Sequence, residues 1–123
     1  MPANKPGKGE YGEIIAEGYL RAKGYAILET RYKCPYGEID LIASNGGTTA
    51  FIEVKLRKTS KAGSAAESVT PQKQRRIIHS ALHYIAARNL TGEIYRFDVI
   101  EIHGRQFYDI RHIEGAFYAD HLP

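Results

Sequence analysis

Apolar positions along this chain alternate between two spacings. From Glu10 to Lys23, EYGEIIAEGYLRAK brings Ile15, Tyr19, Ala22, Ala16 and Leu20 onto one arc at ~100° per residue, which predicts an amphipathic helix that Gly24 is placed to end. Glu13 falls at the edge of that arc, beside Leu20. The spacing then drops to two. YAILETRY (25–32), YGEIDLIA (36–43) and TAFIEVKLR (49–57) read as three strands, parted by Cys34-Pro35 and by the turn residues SNGG. The helical period returns with Ile77, Ile78, Ala81, Leu82 and Ile85 on one face; Thr70 as N-cap and Pro71 at the first helical position set its start, and it runs to about Asn89, ahead of Gly92. IYRFDVIEI (94–102) is a fourth strand, and QFYDIRHIE (106–114) fits a fifth strand or an irregular C-terminal cover.

Two stretches lack either period. Residues 1–9 carry prolines, glycines and lysines with almost nothing apolar, which predicts a flexible basic arm and leaves 10–123 as one domain. KTSKAGSAAES (58–68) is small, polar and basic, the composition of a mobile loop. Helix, three strands, helix, strand is the order of an α/β fold with a mixed central sheet flanked by helices.

Composition narrows the setting. With 123 residues, 43% of them hydrophobic, one core can bury roughly two thirds of the unfolded chain's surface. No run approaches the ~18 apolar residues of a membrane span, and MPANKPGKGE lacks the apolar stretch of a secretory signal, so no membrane partner and a cytoplasmic location are expected. The single cysteine, Cys34, fits a reducing compartment. A net charge of +3 and a pI near 9.0 permit a polyanionic partner without requiring one.

The costly residues lie in GEIDLIASNGGTTAFIEVK, residues 37–55. Alternation puts Glu38 and Asp40 on one face of the second strand and Ile39, Leu41 and Ala43 on the other; in the third strand Glu53, Lys55 and Arg57 oppose Ile52, Val54 and Leu56. Antiparallel pairing across a short turn brings Asp40 within reach of Glu53 and Lys55. These groups suit the wet face of a sheet, where an ion pair contributes at most ~1 kcal/mol. The apolar runs around them, however, are those of central strands. Clustered carboxylates repel unless a cation joins them, and an all-oxygen set suits Mg²⁺ or Mn²⁺. Lys55 could then position water and offset charge on a phosphate under attack, so Asp, then Glu-x-Lys, across two strands is a nuclease arrangement.

GEIDLIA and FIEVK, with YGEIIAEGYLRAKGY upstream and TPQKQRR, YRFDVIEI and RHIEGAF downstream, resemble the YraN-like family of small bacterial proteins. That family lies within the restriction-endonuclease-like PD-(D/E)xK nuclease superfamily, alongside the archaeal Holliday junction resolvases. The resemblance runs from about Gly12 to Phe117 and implies an αβββαβ core, Mg²⁺ or Mn²⁺ as cofactor and DNA as partner. It also implies Asp40 and Glu53 as metal ligands, Lys55 as the catalytic lysine and Glu13 as an accessory acid that completes the metal set. Related resolvases act as dimers, which leaves a homodimer open. The proline-aspartate pair of the superfamily is absent, since Asp40 follows Ile39; Arg31 and Gly115 stand where asparagine is expected, and Leu56 where threonine is usual.

Gln74 falls on the inward side of the second helix, one turn before Ile77 and Ile78, and could orient groups at the metal centre or simply satisfy an interface. Lys73, Arg75 and Arg76 crowd that helix's first turn, where the macrodipole disfavours cations; with Arg57, Lys58 and Lys61 they could track phosphates, or form an ordinary solvated face. His79 and His83 are four apart but lie on the solvent side and read as surface histidines, and the nine tyrosines are too scattered for a stacking motif. The sequence therefore predicts a metal-dependent endonuclease acting on DNA, branched or repair intermediates included. The alternatives are a nucleic-acid-binding protein that keeps the fold without catalysis and, third, a protein-interaction module.

Overall fold

The structure, a computed structural model, describes residues 8–57, 69–104 and 107–119. The expected loop 58–68 lies outside them, and so does the expected basic arm except for Lys8 and Gly9, which already belong to the first helix. In chain order the elements are α1 (Lys8–Ala22), β1 (Ala26–Cys34), β2 (Gly37–Asn45), β3 (Thr48–Arg57), α2 (Pro71–Arg88), β4 (Ile94–His103) and β5 (Asp109–Phe117). The C-terminal segment that fits either a strand or an irregular cover by its sequence is a strand.

The five strands form one mixed sheet in the order β1-β2-β3-β4-β5. β1, β2 and β3 meander antiparallel, α2 carries the chain across to β4, which runs parallel to β3, and β5 returns antiparallel. Each helix covers one face. α1 sets Ala16 and Leu20 against Leu41, Ala43, Ala50, Ile52, Ile100 and Ile102. α2 sets Ile77, Ile78, Ala81 and Tyr84 against Ile39, Ile42, Phe51, Val99 and Phe97. Ala22, expected on the inner arc of α1, is exposed, because the helix ends at that residue.

Local chemistry sets the helix ends. Gly24 takes φ 95°, and the bonds Tyr25 N–H to Leu20 O at 2.9 Å and Gly24 N–H to Arg21 O at 3.0 Å close α1 as a Schellman turn. The Thr70 hydroxyl accepts from the Lys73 N–H at 3.2 Å, and Asn89, at φ 53°, closes α2 before Gly92 is reached. Gly12 lets α1 approach β3 closely: a Cβ there would sit 3.4 Å from Leu56 Cβ and Val54 Cγ1.

The expected alternation of β2 breaks in one place. Leu41 and Ala43 share one face as predicted, and that face meets α1, but Ile39 packs on the α2 side with Ile42. The cause lies in the ladders. β2 pairs with β3 only from Asn45↔Thr48 to Leu41↔Ile52, while β1 holds β2 as far as Gly37 and β4 holds β3 as far as Arg57. Beyond Leu41 and Ile52 the two central strands part, each following its outer neighbour.

Candidate functional site

Where the sheet forks, Val54 loses the β2 carbonyl that would continue the ladder, and its N–H donates instead to Asp40 Oδ2 at 2.8 Å. The side chain of Asp40 thus replaces a backbone partner and is held in the fork. Glu53, the next residue of β3 after the last paired one, stands on the other prong with only 6% of its surface exposed. Both carboxylates line a cleft of about 280 Å³ whose remaining walls are Gly37 and Glu38 of β2 and Lys73, Arg76 and Ile77 of α2.

Two lysines attend these acids. Lys73 Nζ lies 2.5 Å from Glu53 Oε1, and Lys55 Nζ lies 3.4 Å from the same oxygen. Burial, then repulsion from Glu53, pushes the Asp40 carboxyl up to about 7, although the Val54 N–H favours the anion. Burial and the neighbouring Lys73 ammonium pull Lys55 below the usual lysine range. Lys73 moves the other way: burial opposes its charge most, but its contacts with Glu53 and Lys55 and the nearby Asp40 charge together outweigh burial and hold the ammonium. Asp40, Glu53 and Lys73 line the cleft and Lys55 lies beside it on Glu53; Asp40 and Lys73 hold their protons more tightly than usual and Lys55 less tightly, a displacement characteristic of functional clefts.

Asp40, Glu53 and Lys55 are brought together as a set. Glu13 reaches the neighbourhood from α1, close enough to bear on the Asp40 charge, but its Oε1 accepts from Arg31 Nε at 2.8 Å. Arg31 holds a positive φ of 50°, a conformation asparagine adopts more readily than arginine, and from there it neutralises Glu13. Gln74 turns elsewhere: its Nε2 donates to Val69 O at 2.9 Å, binding the first turn of α2 to the residue just before its cap. Val69 is buried, so its carbonyl needs a donor, and the Gln74 amide supplies one. Arg76 lines the cleft, Arg75 is exposed on the same turn, Arg57 is exposed at the end of β3, and Lys58 and Lys61 lie outside the described residues.

Lys73, expected on a phosphate-binding rim from its helix position, is a wall of the acid cleft. The available signal is its place in the first turn of α2, where a cation unfavourable to the macrodipole needs a carboxylate in compensation. Glu38 also lines the cleft, as its two-residue spacing from Asp40 allows. On β4, Glu101 lies opposite Lys55 in the parallel ladder and binds His103 Nε2 at 2.5 Å, so a buried Glu-His pair neighbours the lysine on the adjacent strand.

A hard divalent cation of the Mg²⁺ type accepts one or two carboxylates with water completing its shell. The Asp40-Glu53 pair fits that demand, and a cation there would relieve the repulsion that raises Asp40. A closed cage is not offered: among the described residues, no three His, Cys, Asp or Glu side chains form a metal-holding group. Nor is any described helix long and apolar enough to cross a membrane.

Comparison with known proteins agrees in one direction. Residues 12–102 match the profile described as "Uncharacterised protein family UPF0102". A UPF0102 protein of Pseudoalteromonas translucida is 40% identical over 114 residues, covering 93% of each chain. One from Clostridium acetobutylicum is 42% identical over 112 residues (89% of this chain, 92% of the relative), and one from Alkaliphilus metalliredigens 44% over 109 (89% and 96%). The matched span covers α1 from Gly12, the forked strands and α2 with every residue of the cleft, and the chain belongs to the UPF0102 family.

Proposed function

We propose that this protein is a metal-dependent nuclease of restriction-endonuclease-like fold that hydrolyses phosphodiester bonds in DNA within the cytoplasm. The observation that carries the proposal is the forked sheet: strand divergence sets Asp40 against Glu53, with Lys55 and Lys73 on the same carboxylate and Arg76 at the rim. Lys73 and Arg76 on α2 offer cations to a phosphate while Asp40 and Glu53 on the forked strands offer carboxylates to a metal, the two demands of a site that must bind phosphate and also hold a metal.

Asp40 and Glu53 would hold Mg²⁺ or Mn²⁺, with Glu13 as an outer acid. Bound there, the cation supplies Lewis-acid polarisation of the phosphoryl group and lowers the pKa of water in the site. Lys55, drawn toward the neutral amine, accepts a proton from the water whose oxygen attacks phosphorus. Lys73 keeps its proton and offsets charge on the non-bridging oxygens as the P–O ester bond breaks and the leaving oxygen takes a proton from solvent.

A second reading, a DNA-binding protein without catalysis, is favoured by one contact: the 2.5 Å approach of Lys73 to Glu53 already neutralises the acid that a metal would need. Incubation with linear duplex, single-stranded and four-way-junction DNA, each with Mg²⁺, Mn²⁺ or EDTA, separates the two. The nuclease cuts at least one substrate with metal and none in EDTA; binding to all with cleavage of none leaves the binding protein.

A further inference from the structure

One wall of the cleft continues into an aromatic surface that the hydrolytic set does not use. Tyr36, in the turn between β1 and β2, immediately precedes the cleft residue Gly37 and is 54% exposed. Its ring meets that of His79 of α2 at a tilt of 30°, centroids 5.6 Å apart, and that of His83 edge-on, centroids 6.3 Å apart. His83 is fixed from behind, since its Nδ1 meets the Tyr32 hydroxyl at 2.6 Å. His79 is exposed and follows the cleft residue Arg76 by one helical turn. Two exposed aromatic rings in contact with each other thus lie beside the cleft, each a near neighbour in sequence of a residue that lines it, Gly37 for Tyr36 and Arg76 for His79.

We propose that Tyr36 and His79 form a stacking platform for an unpaired DNA base, so that the protein selects DNA with a single-stranded segment at the cleft. A strand whose phosphate lies on Arg76 and Lys73 places the adjoining base toward these rings. Inside a duplex both faces of a base are covered by its neighbours, and only a splayed or single-stranded nucleotide can offer a face to the side of a protein. Arg76 and Lys73 on α2 favour nucleic acid over an uncharged aromatic ligand, because they can hold the phosphate backbone beside the rings, while Glu38 on the opposite wall keeps the phosphate to the α2 side. The proposal rests on reading the cleft as a DNA site, but not on cleavage.

Fluorescence anisotropy in EDTA, with a short labelled oligothymidylate and a blunt duplex of equal length, tests it. Tyr36→Ala and His79→Ala are each expected to weaken oligothymidylate binding, by roughly 5- to 150-fold, while changing duplex affinity little. Tyr36→Phe, which keeps the ring, is expected to bind as the wild type does, and melting curves verify that all variants are folded. Unchanged oligothymidylate binding by Tyr36→Ala, or an equal loss on duplex, overturns the platform. The outcome is separable from the nuclease reading: a wild type that cuts nothing but loses single-strand affinity on Tyr36→Ala sinks only the nuclease, and one that cuts but is indifferent to Tyr36→Ala sinks only the platform.

Discussion

Asp40 accepts the backbone N–H of Val54 just beyond the last position where β2 and β3 pair. That bond fixes a half-buried carboxylate where the sheet would otherwise have continued with a peptide group, beside a second, buried acid. The strands must part for the cleft to exist, and the parting leaves a donor that a short acidic side chain on the opposite prong satisfies. Fold and candidate chemistry meet in this bond.

Stability should register the arrangement. Asp40 is pushed up to about 7, against about 3.9 in an unfolded chain, so between those values the folded state binds the proton more tightly. The contribution of Asp40 is complete below pH ~4, is lost as pH rises to ~7, and stays lost above. Asp40→Asn, which keeps an acceptor for Val54, is expected to remove that decline and to be more stable than wild type at pH ~8. Denaturant unfolding across this range checks it; identical pH profiles for the two proteins would refute the placement of Asp40.

Asp98 shows the opposite sign. It is fully buried, takes Arg96 through both oxygens at 2.8 and 2.9 Å, and is bonded by His112 Nε2 at 2.8 Å and the Gly115 N–H at 3.1 Å. Burial works against its charge, but these partners outweigh it and hold the carboxyl below the usual range. Its stabilisation is therefore present at neutral pH and is lost as pH falls through the folded value. Asp98→Ala leaves Arg96 and His112 without their shared partner and is expected to cost ~3–5 kcal/mol, read from urea unfolding at neutral pH.

Lys73 and a divalent cation compete for Glu53. Removing the ammonium 2.5 Å from that carboxylate should tighten Mn²⁺ binding and loosen DNA binding at once. For Lys73→Ala a change of roughly fivefold in each direction corresponds to an ion pair of ~1 kcal/mol. Calorimetry with Mn²⁺ and a binding assay without metal read the two arms; weaker Mn²⁺ binding in the variant would mean that Lys73 orders Glu53 instead of blocking it.

Arg75 and Arg76 differ in position, and salt should tell them apart. Arg76 lines the cleft, whereas Arg75 is exposed one residue earlier on the helix. Removing one side chain that binds a phosphate lowers the log–log salt slope of duplex binding by about 0.9. Arg76→Ala is expected to reduce the slope by that amount and Arg75→Ala by less. Unchanged affinity and slope in both variants would remove the basic rim.

Most of the element order is legible in the sequence because period, caps and turns agree: Thr70 and Pro71 open α2 where expected, and the three central strands fall within two residues of their predicted bounds. The facing of Ile39 is not legible. Strict alternation assumes an unbroken ladder, and nothing within GEIDLIA announces that β2 leaves β3 at Leu41, since that depends on how β1 and β4 hold their partners. Gln74 and Lys73 depart from their expected surroundings for a similar reason. Helical phase gives the side of α2, but which of two neighbouring polar side chains enters the cleft depends on where the Val69 carbonyl and Glu53 lie in space. The platform of Tyr36 and His79 joins residues far apart in sequence, a distance over which scattered aromatics carry no pattern.

Asp40, Glu53 and Lys55 share one site yet are expected to fail differently. Asp40→Ala or Glu53→Ala removes half of the carboxylate pair, so Mn²⁺ binding and cleavage should both be lost, while DNA affinity is largely kept because a charge that repels phosphate has gone. Lys55→Ala leaves both acids and their metal affinity, but takes away a half-buried amine placed to receive a proton or meet developing charge, and a loss of ~10²–10³ in rate is expected. Glu53→Ala carries a further mark, since Lys73 loses its partner at 2.5 Å and becomes free to meet phosphate, so metal-free DNA binding should tighten slightly. Calorimetry, anisotropy and cleavage on the same three variants give a pattern that a merely structural cluster could not produce; parallel losses of all three properties in all three variants would point to damage to the fork itself.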